Sequence, residues 1–201
     1  MLSVTFAGSL DVLSKSVEGT VGPRSRVCVL GTAAAFQGSS ESVGALVELE
    51  VWRGATVTGI EAIDRASAND SVLIAEVASA DLVVLADGAA LHARSVWRGS
   101  ALGETLATST LLAVGSVGSI LGETMIDPRG GAPTTGLGFF DDVVISVPAG
   151  ADQTQRTQDL LGGRYLWAQL GRRTVLRFQG TWCVVSGEDL MVTRARELAD
   201  L

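Results

Sequence analysis

Apolar runs of strand length recur along the chain at positions 4–7, 27–30, 57–63, 82–85 and 111–114, each followed by a small-residue turn and then a helical pattern. Strands covered on both faces need no polar alternation, so this order predicts a mostly parallel sheet buried between two layers of helices. The clearest helix starts at Ser39 or Ser40, both suitable N-caps. It places Val43, Leu46, Val47 and Val51 on one face and closes at Arg53-Gly54. A shorter helix is predicted over 69–78. Beyond Gly138 the pattern changes. Positions 143–147 read as a strand, 154–161 as a polar helix, and 174–178, 182–186 and 190–192 as short strands separated by Gly180 and Gly187. These segments predict an antiparallel C-terminal edge that closes the sheet. No internal repeat or low-complexity linker divides the chain, so one domain over 1–201 is expected.

Composition supports an α/β chain with a sizeable core: 47% of residues are hydrophobic, 18% are charged, and 24 are glycines. The net charge of -7, from 22 acidic and 15 basic side chains, leaves no basic footprint for a phosphate backbone, so nucleic acid is not an expected partner. No apolar run approaches the roughly 20 residues that span a bilayer. The N-terminal residues carry no basic targeting region, so no membrane association and a cytoplasmic location are expected. Cys28 and Cys183 lie in apolar runs far apart in sequence and read as buried free thiols. A single histidine and no carboxylate cluster argue against a metal site, and Asp141-Asp142 reads as a solvated turn. Neither a G-x-G-x-x-G nor a P-loop lysine pattern occurs, so no cofactor is expected.

In an open parallel sheet the chemistry sits just beyond the carboxyl ends of the strands. Three such turns carry small or reactive residues: Gly31-Thr-Ala-Ala-Ala-Phe36, Ala86-Asp-Gly-Ala-Ala-Leu-His92 and Gly115-Ser-Val-Gly-Ser119. The last has the form of a nucleophile elbow. There, small neighbours let a strained turn project a serine hydroxyl while the next backbone N–H faces a developing oxyanion. The first glycine of the usual Gly-x-Ser-x-Gly pattern is Val114 here.

These turns, together with Leu91-His-Ala-Arg-Ser-Val96 and the segment Met125-Ile-Asp-Pro-Arg-Gly-Gly-Ala-Pro-Thr-Thr-Gly-Leu-Gly138, resemble the dipeptidase E and cyanophycinase group of serine peptidases. The likeness extends over roughly positions 8–192 and is most specific at Asp127-Pro-Arg-Gly-Gly-Ala132; the actinobacterial, uncharacterised branch of the group matches best. The resemblance implies a class I glutamine amidotransferase-like, flavodoxin-like fold with a Ser-His-acid site. Carried over residue by residue, Ser116 is the nucleophile. The Val117 N–H and the Gly88 turn belong to the oxyanion hole, and Glu123 or Asp127 is the acid. The family's histidine is expected directly after the proline that ends the 143–147 strand, where this chain has Ala149. Asp87 puts a carboxylate where negative charge should be stabilised.

Loss of one triad member commonly costs about four orders of magnitude or more in rate. A peptidase-like protein with a degenerate site is therefore expected, one that binds a peptide or a small acidic ligand in the old cleft. A homodimer is an assembly that the family precedent implies. The alternative is an active serine hydrolase on small acidic peptides, with Ser116 activated by His92 or by a non-standard base. A third reading is a flavodoxin-like binding module unrelated to peptidases.

Overall fold

The computed structural model describes residues 2–141, 143–163 and 165–193; Asp142 lies outside them. Five parallel strands form one continuous side of a seven-stranded sheet: β1 (Ser3–Ala7), β2 (Arg26–Leu30), β3 (Thr56–Ile60), β4 (Leu82–Leu85) and β5 (Thr110–Val114). Their order is β1-β5-β4-β2-β3, with register pairs such as Phe6 beside Ala113 and Cys28 beside Val83. The two further strands of this sheet are β10 (Thr174–Phe178), antiparallel to β1, and β11 (Trp182–Gly187), antiparallel to β10. The predicted antiparallel edge is therefore present, though built from only two of the expected C-terminal strands.

The other late strands leave the main sheet. β8 (Val143–Ser146) runs parallel to β9 (Leu166–Leu170), and β12 (Leu190–Thr193) pairs antiparallel with β9 in a separate three-stranded sheet. A hairpin of β6 (Thr124–Ile126) and β7 (Pro133–Thr135) precedes them. Periodicity finds strand segments but carries no information on which partner each one pairs with. That is why 143–147 and 190–192 were assigned to the wrong sheet.

Alternation along the central strands sends side chains into two cores, one on each sheet face. Val4, Phe6, Cys28, Leu30, Val83, Leu85, Leu111 and Ala113 face α3 (Ser71–Ala78), α4 (Ala90–Trp97) and α5 (Ala101–Leu106). Val27, Val29, Val84, Leu112 and Val114 face α1 (Leu13–Val17) and α2 (Ser39–Val47). Together these make the three-layer α/β arrangement expected from the alternating pattern. Burying each of these branched side chains contributes about 1.5–3 kcal/mol.

The helix starts differ in detail from the prediction. Gly38, at φ 78°, is the N-cap of α2, and Ser39 is its first buried residue; α3 begins after Asp70, whose carboxylate accepts the Val72 and Leu73 N–H groups. The 154–161 prediction corresponds to α6 (Ala151–Leu161). Cys28 is buried as expected, and burial pushes its thiol up to about 12. Cys183 is exposed, because it lies on the edge strand β11, whose outer face no helix among the described residues covers. Among the described residues no helix is long and apolar enough to cross a membrane.

Candidate functional site

Strands β2, β4 and β5 are neighbours, so the turns that follow them meet at one edge of the sheet. The turn after β2 is a short 3-10 segment, Thr32–Ala34, anchored where the Thr32 hydroxyl donates to the Ala62 carbonyl at 2.7 Å. It touches the turn after β4 through the Ala89 N–H, which donates to the Ala33 carbonyl at 2.7 Å. Gly88 sits at φ 148°, and a side chain there would overlap the Ala33 backbone, so this close approach requires glycine.

The turn after β5 is a 3-10 segment over Gly115–Ile120. Its left-handed residue is Gly115, at φ 62°; Ser116 does not share that conformation, since Arg53 is the only described non-glycine residue with positive φ. The strained position of the elbow thus falls one residue earlier than the resemblance implies, on a residue with no side chain. A methyl group built on Gly115 would overlap the Asp87 carboxylate. The space a nucleophile would take at that position is filled by Asp87.

The same carboxylate collects the local donors. Asp87 Oδ1 accepts the Gly88 N–H at 2.8 Å, the Ser116 N–H at 2.8 Å and the Ser116 hydroxyl at 2.7 Å. The Gly88 carbonyl is a second acceptor 2.8 Å from Ser116 Oγ. Two convergent backbone N–H groups from separate strand-end turns form the arrangement that holds an oxyanion in acyl transfer. Gly88 supplies one N–H of this pair. Ser116, which follows the left-handed Gly115, supplies the other. The Val117 side chain is fully buried in the core.

The structure does not bring His92 to Ser116. On α4, His92 Nε2 lies 2.8 Å from the Ile63 carbonyl, and its ring meets Phe36 edge-on with centroids 4.6 Å apart. No hydrogen bond joins the imidazole to the Ser116 hydroxyl, whose partners are Asp87 and Gly88. Glu123 is exposed and joined through its backbone to Phe140 and Gly136 at the base of the β6-β7 hairpin.

Asp127 builds the hairpin loop. Its Oδ1 accepts the Arg129 N–H at 2.9 Å, and its carbonyl accepts from Gly130 and Gly131. The loop docks on α6, where the Thr157 hydroxyl donates to the Gly131 carbonyl at 2.7 Å and a side chain on Gly131 would overlap Thr157. Neither acid is positioned against an imidazole, because the chain's one histidine is held elsewhere.

A cavity of about 800 Å³ opens beside this turn. Gly88 and Ser116 form one part of its wall, His92 and Phe36 another, and Arg129 and Ala149 a third. Ala149 is exposed just before α6 and presents a methyl group to the cavity where the resemblance places an imidazole. Sequence reasoning missed Gly115 as the strained residue, although a glycine at a strand end is itself the signal for positive φ. Arg129 and Trp167 also went unassigned, and both line the cavity.

No model of a known protein family matches the chain, and no curated protein sequence does either. Solved structures do. One is a peptidase from an acI-B1 actinobacterium, with a TM-score of 0.70 at 17% identity, over 97% of this chain and 95% of that one. Another is the Putative Peptidase E Protein of Listeria monocytogenes EGD-e, with a TM-score of 0.58 at 12% identity, over 98% of this chain and all of that one. At this identity the likeness is one of fold, and the fold is that of these peptidases.

Proposed function

We propose that this chain is a peptidase-like protein that has given up acyl transfer and uses the cavity beside Ser116 to bind a peptide or a small acidic ligand. The observation that carries this reading is the Asp87 carboxylate lying across the Gly88 and Ser116 N–H groups. A tetrahedral intermediate needs those donors for its own negative charge, and a carboxylate already bound to them both occupies and repels. The Ser116 hydroxyl donates its single proton to Asp87 or Gly88 and has no imidazole to take it. Arg129 supports an acidic ligand, since among the described residues no acidic side chain pairs with its guanidinium.

The decisive experiment is labelling with a fluorophosphonate serine-hydrolase probe read by intact mass, with Ser116→Ala as control. The folded wild type is expected to stay unlabelled beside a labelled control hydrolase. Stoichiometric labelling that Ser116→Ala abolishes would overturn the reading in favour of an active hydrolase.

A further inference from the structure

The cavity beside Ser116 has an uneven distribution of chemistry. In a chain with 22 acidic side chains, no aspartate or glutamate among the described residues lines it, and the one permanent charge those residues bring to it is Arg129. Most hydroxyls on its wall are already committed as donors: Ser95 to the His92 carbonyl, Ser119 to the Ser116 carbonyl and Thr157 to the Gly131 carbonyl, with Ser146 and the Gln153 amide as the neutral polar groups that remain. The Trp167 indole N–H donates to Ser146 Oγ at 2.9 Å, which leaves the face of that ring as its contribution. The backbone N–H pair that could seat an anion at the strand ends is taken by Asp87. An anionic ligand therefore meets, among the described residues, one unspent cation, on the β6-β7 loop.

The opposite chemistry comes from Phe36. It is 75% exposed, an unusual state for a phenylalanine, yet it lines a cavity. Its ring is set against His92 at an interplanar angle of 62°, and His92 is fixed by the Ile63 carbonyl. An aromatic side chain whose neighbour is locked is a preorganised surface for another ring. Leu91, Ile126 and Pro148 continue the apolar wall. The volume of about 800 Å³ falls within the roughly 300–1,000 Å³ of small-ligand sites.

We infer that the cavity selects an aromatic monocarboxylate, such as an N-acylated aromatic amino acid or the end of a peptide bearing one, with its carboxylate on Arg129 and its ring against Phe36 and His92. This inference rests on the ligand-binding reading above and narrows it. A compact dicarboxylate is disfavoured, because its second charge would find no cation among the described residues of the wall.

Calorimetric titration of the full chain with three probes tests this: N-acetyl-L-phenylalanine, its amide N-acetyl-L-phenylalaninamide, and N-acetyl-L-aspartate. The first is expected to bind best, with the amide and the aspartate each weaker by about tenfold. Arg129→Ala should lower the affinity of the phenylalanine acid to that of the amide and leave the amide unchanged. Phe36→Ala should weaken both phenylalanine probes by about fivefold to tenfold and leave the aspartate unchanged. Both side chains are exposed, and thermal unfolding of each variant checks that the fold is kept.

N-acetylaspartate binding as tightly as N-acetylphenylalanine, with no effect of Phe36→Ala, would overturn the inference and leave the ligand-binding reading standing. Fluorophosphonate labelling of Ser116 alongside the expected order of affinities would overturn the loss of acyl transfer and leave the inference about the cavity's ligand standing. No heat from any of the three probes would overturn the inference, and the same silence from aspartyl dipeptides would overturn the ligand-binding reading with it.

Discussion

The Asp87 carboxylate and Ser116 are joined twice through one oxygen, which accepts the Ser116 hydroxyl at 2.7 Å and the Ser116 N–H at 2.8 Å. With the Gly88 N–H on the same oxygen, the carboxylate sits where three donors from two strand-end turns converge. Gly115 makes this possible: its positive φ turns the Ser116 N–H toward Asp87, and its lack of a side chain leaves the carboxylate room.

A double-mutant cycle measures that dependence. Gly115→Ala is expected to destabilise the protein by about 2–4 kcal/mol, combining a left-handed alanine with overlap against the carboxylate. Asp87→Gly, at an exposed carboxylate, should cost only about 1 kcal/mol, since solvent replaces part of its hydrogen bonding. In the Asp87→Gly background the overlap is gone, and Gly115→Ala should cost about 1–2 kcal/mol, the conformational part alone. Urea unfolding of the four proteins gives the coupling. Strict additivity would mean that the two residues do not share the space described.

The His92 imidazole provides a spectroscopic prediction. A carbonyl only accepts, so the 2.8 Å contact with Ile63 requires the proton on Nε2. Long-range ¹H-¹⁵N correlation of the neutral ring should report the Nε2–H tautomer. Ser116→Ala should leave those nitrogen shifts unchanged. A Nδ1–H tautomer, or shifts that move with Ser116→Ala, would mean that the imidazole serves the hydroxyl instead.

The buried contact between Thr32 and Trp97 gives a third prediction. The Thr32 hydroxyl accepts the Trp97 indole N–H at 3.1 Å while donating to the Ala62 carbonyl at 2.7 Å, and both side chains are 1% exposed or less. Thr32→Val keeps the shape and strands two polar groups away from water, at a cost of about 1–3 kcal/mol in urea unfolding. Because this contact anchors the turn that carries Phe36, a change in stability below a few tenths of a kcal/mol would also undercut the preorganised wall of the cavity.

The sheet was largely legible in the chain because buried parallel strands appear as unbroken apolar runs; the five parallel ones begin and end within three residues of where periodicity puts them. Partner choice was not legible, and β8 and β12 went to a second sheet for that reason. At the site, Asp87 and Ala149 stood out as departures from a pattern, and both prove to face the region where the strand-end turns meet. The one-residue offset between Gly115 and Ser116 was hidden, since spacing cannot say which of two adjacent small residues takes the left-handed conformation. The loop contact of Asp127 was hidden too, since sequence does not show that its carboxylate accepts the Arg129 N–H at 2.9 Å.

Asp64 ties the stability of the cavity's far wall to pH. The Ser67 N–H and hydroxyl both donate to its carboxylate, at 2.8 and 2.7 Å, and hold it below the ordinary aspartate range. A carboxyl depressed in the folded state contributes stability that is full above its unfolded value, near 4, and fades as pH falls through the folded value. Ile63, the anchor of His92, is its neighbour in the chain. Asp64→Asn should therefore be less stable than the wild type near neutral pH, and the gap should close as pH falls from about 4 toward 2. Asp11, lowered by its hydrogen bond to Arg172, retains its own acid dependence in both proteins, so each still loses stability over that range. Urea midpoints at neutral and acid pH give both quantities, and a gap that stays constant across the range would refute the link to Asp64 ionisation.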